Sequence, residues 1–123
     1  MITLRTLKYA TDQDVFDQVV EHLMAQQKQC MADNRTNCAY RNSNGEKCAA
    51  GCLISDEEYR STLFEGRGWR THVKNRMVPY EHCWLIGMLQ SIHDNYNPVD
   101  WPRELRDLAE MHKLSTEVLE KYK

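Results

Sequence analysis

Apolar residues recur at helical spacing in three stretches, and these set the expected architecture. In the first, Val15, Phe16, Val19, Val20, Leu23 and Met24 form one broad stripe, with Asp17, Gln18, Glu21 and Gln26 on the other side. Thr11, followed by Asp14 at capping-box spacing, opens this helix. The pattern predicts a helix over 11–29 that frays through QQKQ into a polar loop. In the second stretch, Leu85, Met88, Leu89, Ile92 and Tyr96 predict the central helix, over 79–96, with Pro79 in its first turn and Asn-Tyr-Asn-Pro as its stop. In the third, Leu105, Leu108 and Ala109 follow Asp100 as cap and predict a helix over 100–112. Val118, Leu119 and Tyr122 predict a last short helix over 115–122.

The remaining segments lack that period. Residues 1–10 read as an extended arm that docks through Ile2, Leu4 and Leu7. Asn44-Gly45 is a turn dipeptide, since both residues tolerate positive φ, and it predicts a β-hairpin over 38–48. KCAAGCLI suits a short buried helical segment, and Ser55 with Glu58 forms a second capping box. FEGRGWR, with two glycines, reads as a loop. The expected fold is therefore mainly α: one domain over 1–123, of three to four helices, with a small β-hairpin inserted after the first long helix.

Charge narrows the partners. The 123-residue chain has 16 basic and 18 acidic residues, well mixed, for a net charge of −2. That balance gives no electrostatic footprint for duplex nucleic acid and no acidic excess of the kind that mimics DNA. No apolar run approaches the ~20 residues that cross a bilayer, and the N-terminus has no signal-peptide pattern. The expectation is a protein of the cytoplasm, with no membrane and no duplex nucleic acid as partner.

Five cysteines cannot all pair within one chain. Cys38, Cys48 and Cys52 are the candidate metal ligands, but the closest pair has the spacing C-x₃-C, where zinc sites favour C-x₂-C. Buried thiols explain the same residues, because free cysteine packs as a small hydrophobe. The expectation is no metal and no cofactor. A cysteine nucleophile needs a base within hydrogen-bond reach; His93-Asp94 has that composition, yet neighbours on a helix point apart.

Candidate binding residues are Tyr40, Arg41, Asp56, Glu57, Trp69, His93 and Asp94. Aromatic residues and arginine anchor interfaces because they offer much contact area for little entropy. Trp69, between glycine and arginine, reads as a loop residue, and His93 falls just beyond the apolar stripe, at the core boundary. For Arg41 a structural alternative is open: a pair with Asp56 or Asp94 that locks the turn to the helix.

The segments CAYRNSNGEKCAAGCLISDEEY, EG and LQSIHDNYNPVDW, in that order, resemble a family of small uncharacterised proteins encoded by tailed bacteriophages and prophages. The likeness runs from about Asp12 to the C-terminus. Ser55 stands where proline is common in the family, and Cys30 lies outside its pattern. The resemblance implies an accessory viral protein in the cytoplasm of the infected cell. Such a protein is expected to bind stoichiometrically and counter a host factor, either a host protein or a signalling nucleotide, and to be open to self-association. The alternatives are a zinc-stabilised module and a small cysteine- or histidine-dependent enzyme.

Overall fold

The structure, a computed structural model, describes residues 1–122. Helix α1 spans Asp12–Gln26. Thr11 Oγ1 accepts from the Asp14 N–H, and the Asp14 carboxylate accepts from the Thr11 N–H, so the capping box is complete. The helix ends earlier than the pattern suggests because Gln27 turns left-handed, at φ 56°, and returns its N–H to Leu23 O. Helix α4 spans Cys83–Asn95 and packs against α1, against α3 (Trp69–Lys74) and against α5 (Trp101–His112). The short helices α2 (Ser61–Phe64) and α6 (Glu117–Glu120) complete the set, so six α-helices form among the described residues where three to four were expected. Every member of the predicted stripe of α1 is buried, as are Leu85, Leu89, Ile92, Leu105 and Leu108. No helix of the described residues is long and apolar enough to cross a membrane.

Helix α4 starts at Cys83 rather than Pro79 because His82 adopts a left-handed conformation, φ 64°. Its ring holds this turn against the start of α1. Nδ1 lies 2.5 Å from an Asp12 carboxylate oxygen and Nε2 lies 2.8 Å from Ala10 O.

The expected hairpin over 38–48 does not form. Among the described residues there is no strand; the segment holds only isolated antiparallel bridges, Met31 with Cys38 and Arg41 with Lys47. The turn itself is present: Gly45 has φ +80°, and the Asn42 side-chain oxygen accepts from the N–H groups of Asn44 and Glu46. Beyond the turn, two cross-bonds form, Asn42 N–H to Glu46 O at 3.3 Å and Cys48 N–H to Tyr40 O at 3.1 Å, and the other backbone groups bond elsewhere. The Glu65 carboxylate accepts from the N–H of Tyr40 and of Arg41, at 3.0 and 3.2 Å. The Gln26 side-chain amide takes both the N–H and the C=O of Lys47, each at 2.9 Å. The Tyr40 N–H and the Cys48 C=O, which would pair next, are taken by Glu65 and by the Cys52 N–H, so the pairing stops there.

The same device docks the arm. The Gln18 amide pairs with both the N–H and the C=O of Ile2, and Glu58 accepts from the N–H groups of Leu4 and Arg5. Ser55 and Glu58 make their reciprocal bonds, yet no helix follows directly; the carboxylate ties the arm instead. The arm is not wholly extended, since Leu7–Tyr9 form a 3₁₀ turn with Leu7 fully buried. KCAAGCLI is likewise a 3₁₀ turn at Gly51–Leu53. A Cβ at Gly51 would lie 2.4 Å from Tyr40 O, so only glycine lets the two backbones meet.

Leu89 has no exposed surface at the centre of α4, and Leu89→Ala is expected to cost about 2–5 kcal/mol in chemical denaturation; a loss well below 1 kcal/mol would remove α4 from the centre of the core. Glu58 gives a pH test. Its partial burial raises the carboxyl pKa, but the bonds from Ser55, Leu4 and Arg5 outweigh burial and hold it below 4.5. A depressed folded-state pKa contributes stability that is complete above the unfolded value and lost as pH falls through the folded one. Glu58→Gln is therefore expected to melt below the parent at pH 7, with the gap closing as the solution is acidified; a gap independent of pH would contradict this role.

Candidate functional site

Two pairs of candidate residues make direct contacts, Arg41 with Asp56 and His93 with Asp94. Arg41 reaches Asp56, with Nη1 2.6 Å from the carboxylate, while Nη2 donates to Ile54 O at 2.7 Å. Its guanidinium also lies 4.7 Å from the Tyr59 ring centroid. Of the pairings open to Arg41, the one that forms is with Asp56 rather than Asp94. Glu57 stands exposed beside it. Tyr40 is buried, donates its hydroxyl to Arg67 O at 2.8 Å and packs on Phe64 and His72.

Two placements correct the sequence reading. Trp69 is a core residue in the first turn of α3, not a loop residue: it is 2% exposed, and its indole Nε1 is buried without a partner. His93 lies inside the core rather than at its boundary, because Trp101 of α5 stacks on its ring at 5.7 Å and the loop at Cys30 closes over it.

The wiring of His93 fixes its proton. Nε2 accepts from the Cys30 N–H at 2.9 Å, so the ring carries its hydrogen on Nδ1 and donates it to an Asp94 carboxylate oxygen at 2.7 Å. Gln90 Nε2 donates to the same oxygen at 2.7 Å, while Gln90 Oε1 accepts from the Ala50 N–H. The neighbours His93 and Asp94 thus do meet, because the aspartate bends back over the ring. Cys38 joins them, and donor atoms of Cys38, His93 and Asp94 lie within 4.8 Å of one another. Among the described residues this is the group with metal-ligand proximity, and it is not the Cys38, Cys48 and Cys52 set. Cys48 Sγ accepts from the Gly51 N–H, and Cys52 Sγ donates to Ala49 O. A metal on His93 Nδ1 fits poorly, since the ring proton would then sit on Nε2, facing the Cys30 N–H.

The thiols of Cys30, Cys38, Cys48 and Cys52 are held protonated. Burial, then the Asp94 charge and hydrogen bond, pushes Cys38 up to about 11, and burial takes Cys30 and Cys52 up to about 12. None of the five cysteines is in a disulfide.

Three depressions run together across this face. A cavity of about 470 Å³ beside Arg41 and Tyr59 shares Cys38 and Glu65 with one of about 240 Å³. That one shares Gly68, Gln90 and Asp94 with a third, of about 390 Å³, walled by Trp69, Trp84 and Met88. The furrow therefore joins Arg41 at one end to Asp94 and Trp69 at the other. Glu65, Gln90 and Asn37, which line it, carried no signal of their own in the sequence. Glu65, in the Glu65-Gly66 dipeptide, and Gln90, in LQSIHD, were visible as part of the phage-family resemblance.

Compared with protein-family models, with curated proteins and with solved structures, the chain finds no match in any of the three.

Raising the Cys38 thiol from 9.0 to about 11 lowers its thiolate fraction at pH 8 about a hundredfold. Alkylation of Cys38 by iodoacetamide at pH 8 is expected to lag a free cysteine by about that factor and to quicken steadily as pH rises to 10. A rate close to that of free cysteine would reveal a stabilised thiolate and revive the cysteine-dependent enzyme.

Proposed function

We propose that the protein is a bacteriophage accessory protein that acts in the cytoplasm of the infected cell by stoichiometric binding, countering or modulating a host factor. The furrow is its binding surface. One observation carries this reading: the walls are fixed by their own hydrogen bonds before any partner arrives. Glu65 clamps the Tyr40 and Arg41 backbone, Gln90 holds Ala50, and His93 holds Cys30. A preformed surface loses little conformational entropy on association. Side chains bonded in this way shape the surface, and thiols kept protonated are weak nucleophiles.

A protein target is favoured over a signalling nucleotide. The Tyr59 ring has Arg41 on it and is stacked with Phe64 at 6.0 Å, so it offers poor room for a base. Glu65 and Asp94 line the same cavity as Arg67, so their two negative charges outweigh its one positive charge there and disfavour phosphate.

Asn37 is exposed and lines two of the depressions, so Asn37→Trp fills the furrow without touching the core. Native mass spectrometry of the full chain, after incubation with bacterial cytoplasmic extract, is expected to show one host protein at fixed stoichiometry. Asn37→Trp is expected to lose that complex with an unchanged melting temperature. Retention of the complex by the variant would move the binding surface away from the furrow; a nucleotide in place of the protein would reverse the choice of target.

A further inference from the structure

Among the described residues, no lysine or arginine side chain is paired with the Asp94 carboxylate. It sits in the last turn of α4, where the helix dipole already presents negative charge and favours a positive group. Its side chain is 36% exposed. The groups that contact it are the Gln90 amide, the His93 Nδ1–H and the Cys38 thiol. His93 supplies no positive charge there while its Nε2 accepts from the Cys30 N–H. Arg67 and Arg70 line the adjoining cavities, yet among the described residues no lysine or arginine pairs with Asp94.

Two further features lie at the same place. Trp69 walls the 390 Å³ cavity together with Asp94, and its buried indole N–H lacks an acceptor. Gly87 lies exposed in the middle of α4, at the same cavity, with nothing within 4 Å of where a Cβ would stand. Glycine there weakens the helix by about 1 kcal/mol relative to alanine. No positive φ or close approach within the chain requires it.

We propose that the junction of the two cavities at Asp94 is the recognition pocket for a lysine or arginine side chain presented by the protein partner. This rests on the binding function given above and deepens it. The ammonium or guanidinium group sits on Asp94, held in place by Gln90 and His93, and supplies the missing charge. The aliphatic stem lies along Met88 and the half-exposed face of Trp84. The partner's backbone passes over Gly87, where no side chain blocks it, and offers carbonyl acceptors on the side of Trp69. An acidic anchor with an apolar wall and an unpaired donor matches a basic side chain on a peptide better than a free anion or an apolar segment.

The test uses the full chain and capped tripeptides Gly-Lys-Gly and Gly-Arg-Gly, with Gly-norleucine-Gly as the uncharged match, followed by NMR. Millimolar basic peptide is expected to shift the signals of Gln90, Asp94, Gly87 and the Trp69 indole N–H, more weakly as salt is raised, while the norleucine peptide shifts none of them. Asp94→Asn keeps an acceptor for Gln90 and His93 and is expected to weaken the basic peptides about tenfold. Equal binding of the norleucine peptide, an unchanged affinity in Asp94→Asn, or no shift at all would overturn the proposal. Methylammonium binding as tightly as the peptides would replace the protein side chain with a small free amine and overturn it too. Zinc chloride shifting Cys38 and His93 at one equivalent would assign the carboxylate to a metal instead. If Asp94→Asn fails to fold, the salt dependence and the norleucine comparison on the parent chain decide. A host complex that Asp94→Asn retains but Asn37→Trp loses would overturn this pocket and leave the binding function standing.

Discussion

Irregular backbone packed against a core must still have its N–H and C=O groups bonded, and the partly buried residues 27–60, like the N-terminal arm, meet that demand without a sheet. Polar side chains do the work of a neighbouring strand. Gln26 takes both backbone groups of Lys47, Gln18 takes both of Ile2, and Gln90 and Glu65 close on Ala50, Tyr40 and Arg41. An unmade bond in such a setting costs about 1–3 kcal/mol, so each of these side chains is constrained in identity as well as in position. Gly51 belongs to the same arrangement, because the backbone it brings against Tyr40 leaves no room for a side chain.

This economy shapes the binding face. Most polar groups along the furrow already bond within the chain, and that gives the surface its rigidity. It also separates residues that maintain shape from those with unused capacity. Arg41 belongs to the first kind: its charge is matched by Asp56 and its second amino group by a carbonyl. Asp94 belongs to the second, since neutral donors orient it without cancelling its charge.

Histidine shows how the surroundings assign a proton. His82 faces a carboxylate and a carbonyl, both acceptors, so making both bonds requires a hydrogen on each nitrogen. His93 faces a donor and an acceptor, which leaves one hydrogen, on Nδ1. His72 donates from Nε2 to Phe64 O, and its Nδ1 is buried unpaired. His22, whose pKa is lowered by burial, meets Lys47 O. One residue type thus serves as a clasp, an orienting group and a core filler within a single small domain.

The sequence by itself determined what depends on neighbours a few residues apart. The stripe from Val15 to Met24, the capping box of Thr11 and Asp14, and the Asn44-Gly45 turn all have local causes: helical period, reciprocal end bonds and tolerance of positive φ. It also showed that Arg41 had a structural alternative. Only the tertiary structure decided the rest. The 38–48 segment has hairpin chemistry and keeps two cross-bonds, yet Glu65 takes the Tyr40 N–H and the Cys52 N–H takes the Cys48 C=O, so the ladder stops there. Trp69 reads as a loop residue until α3 turns it inward, and His93 reads as a boundary residue until Trp101 and the Cys30 loop cover it. Asp94 and Cys38 are far apart in sequence and meet only when that loop folds onto α4. In each case a long-range partner competes with a local preference, and which one wins depends on what the fold brings within bonding distance.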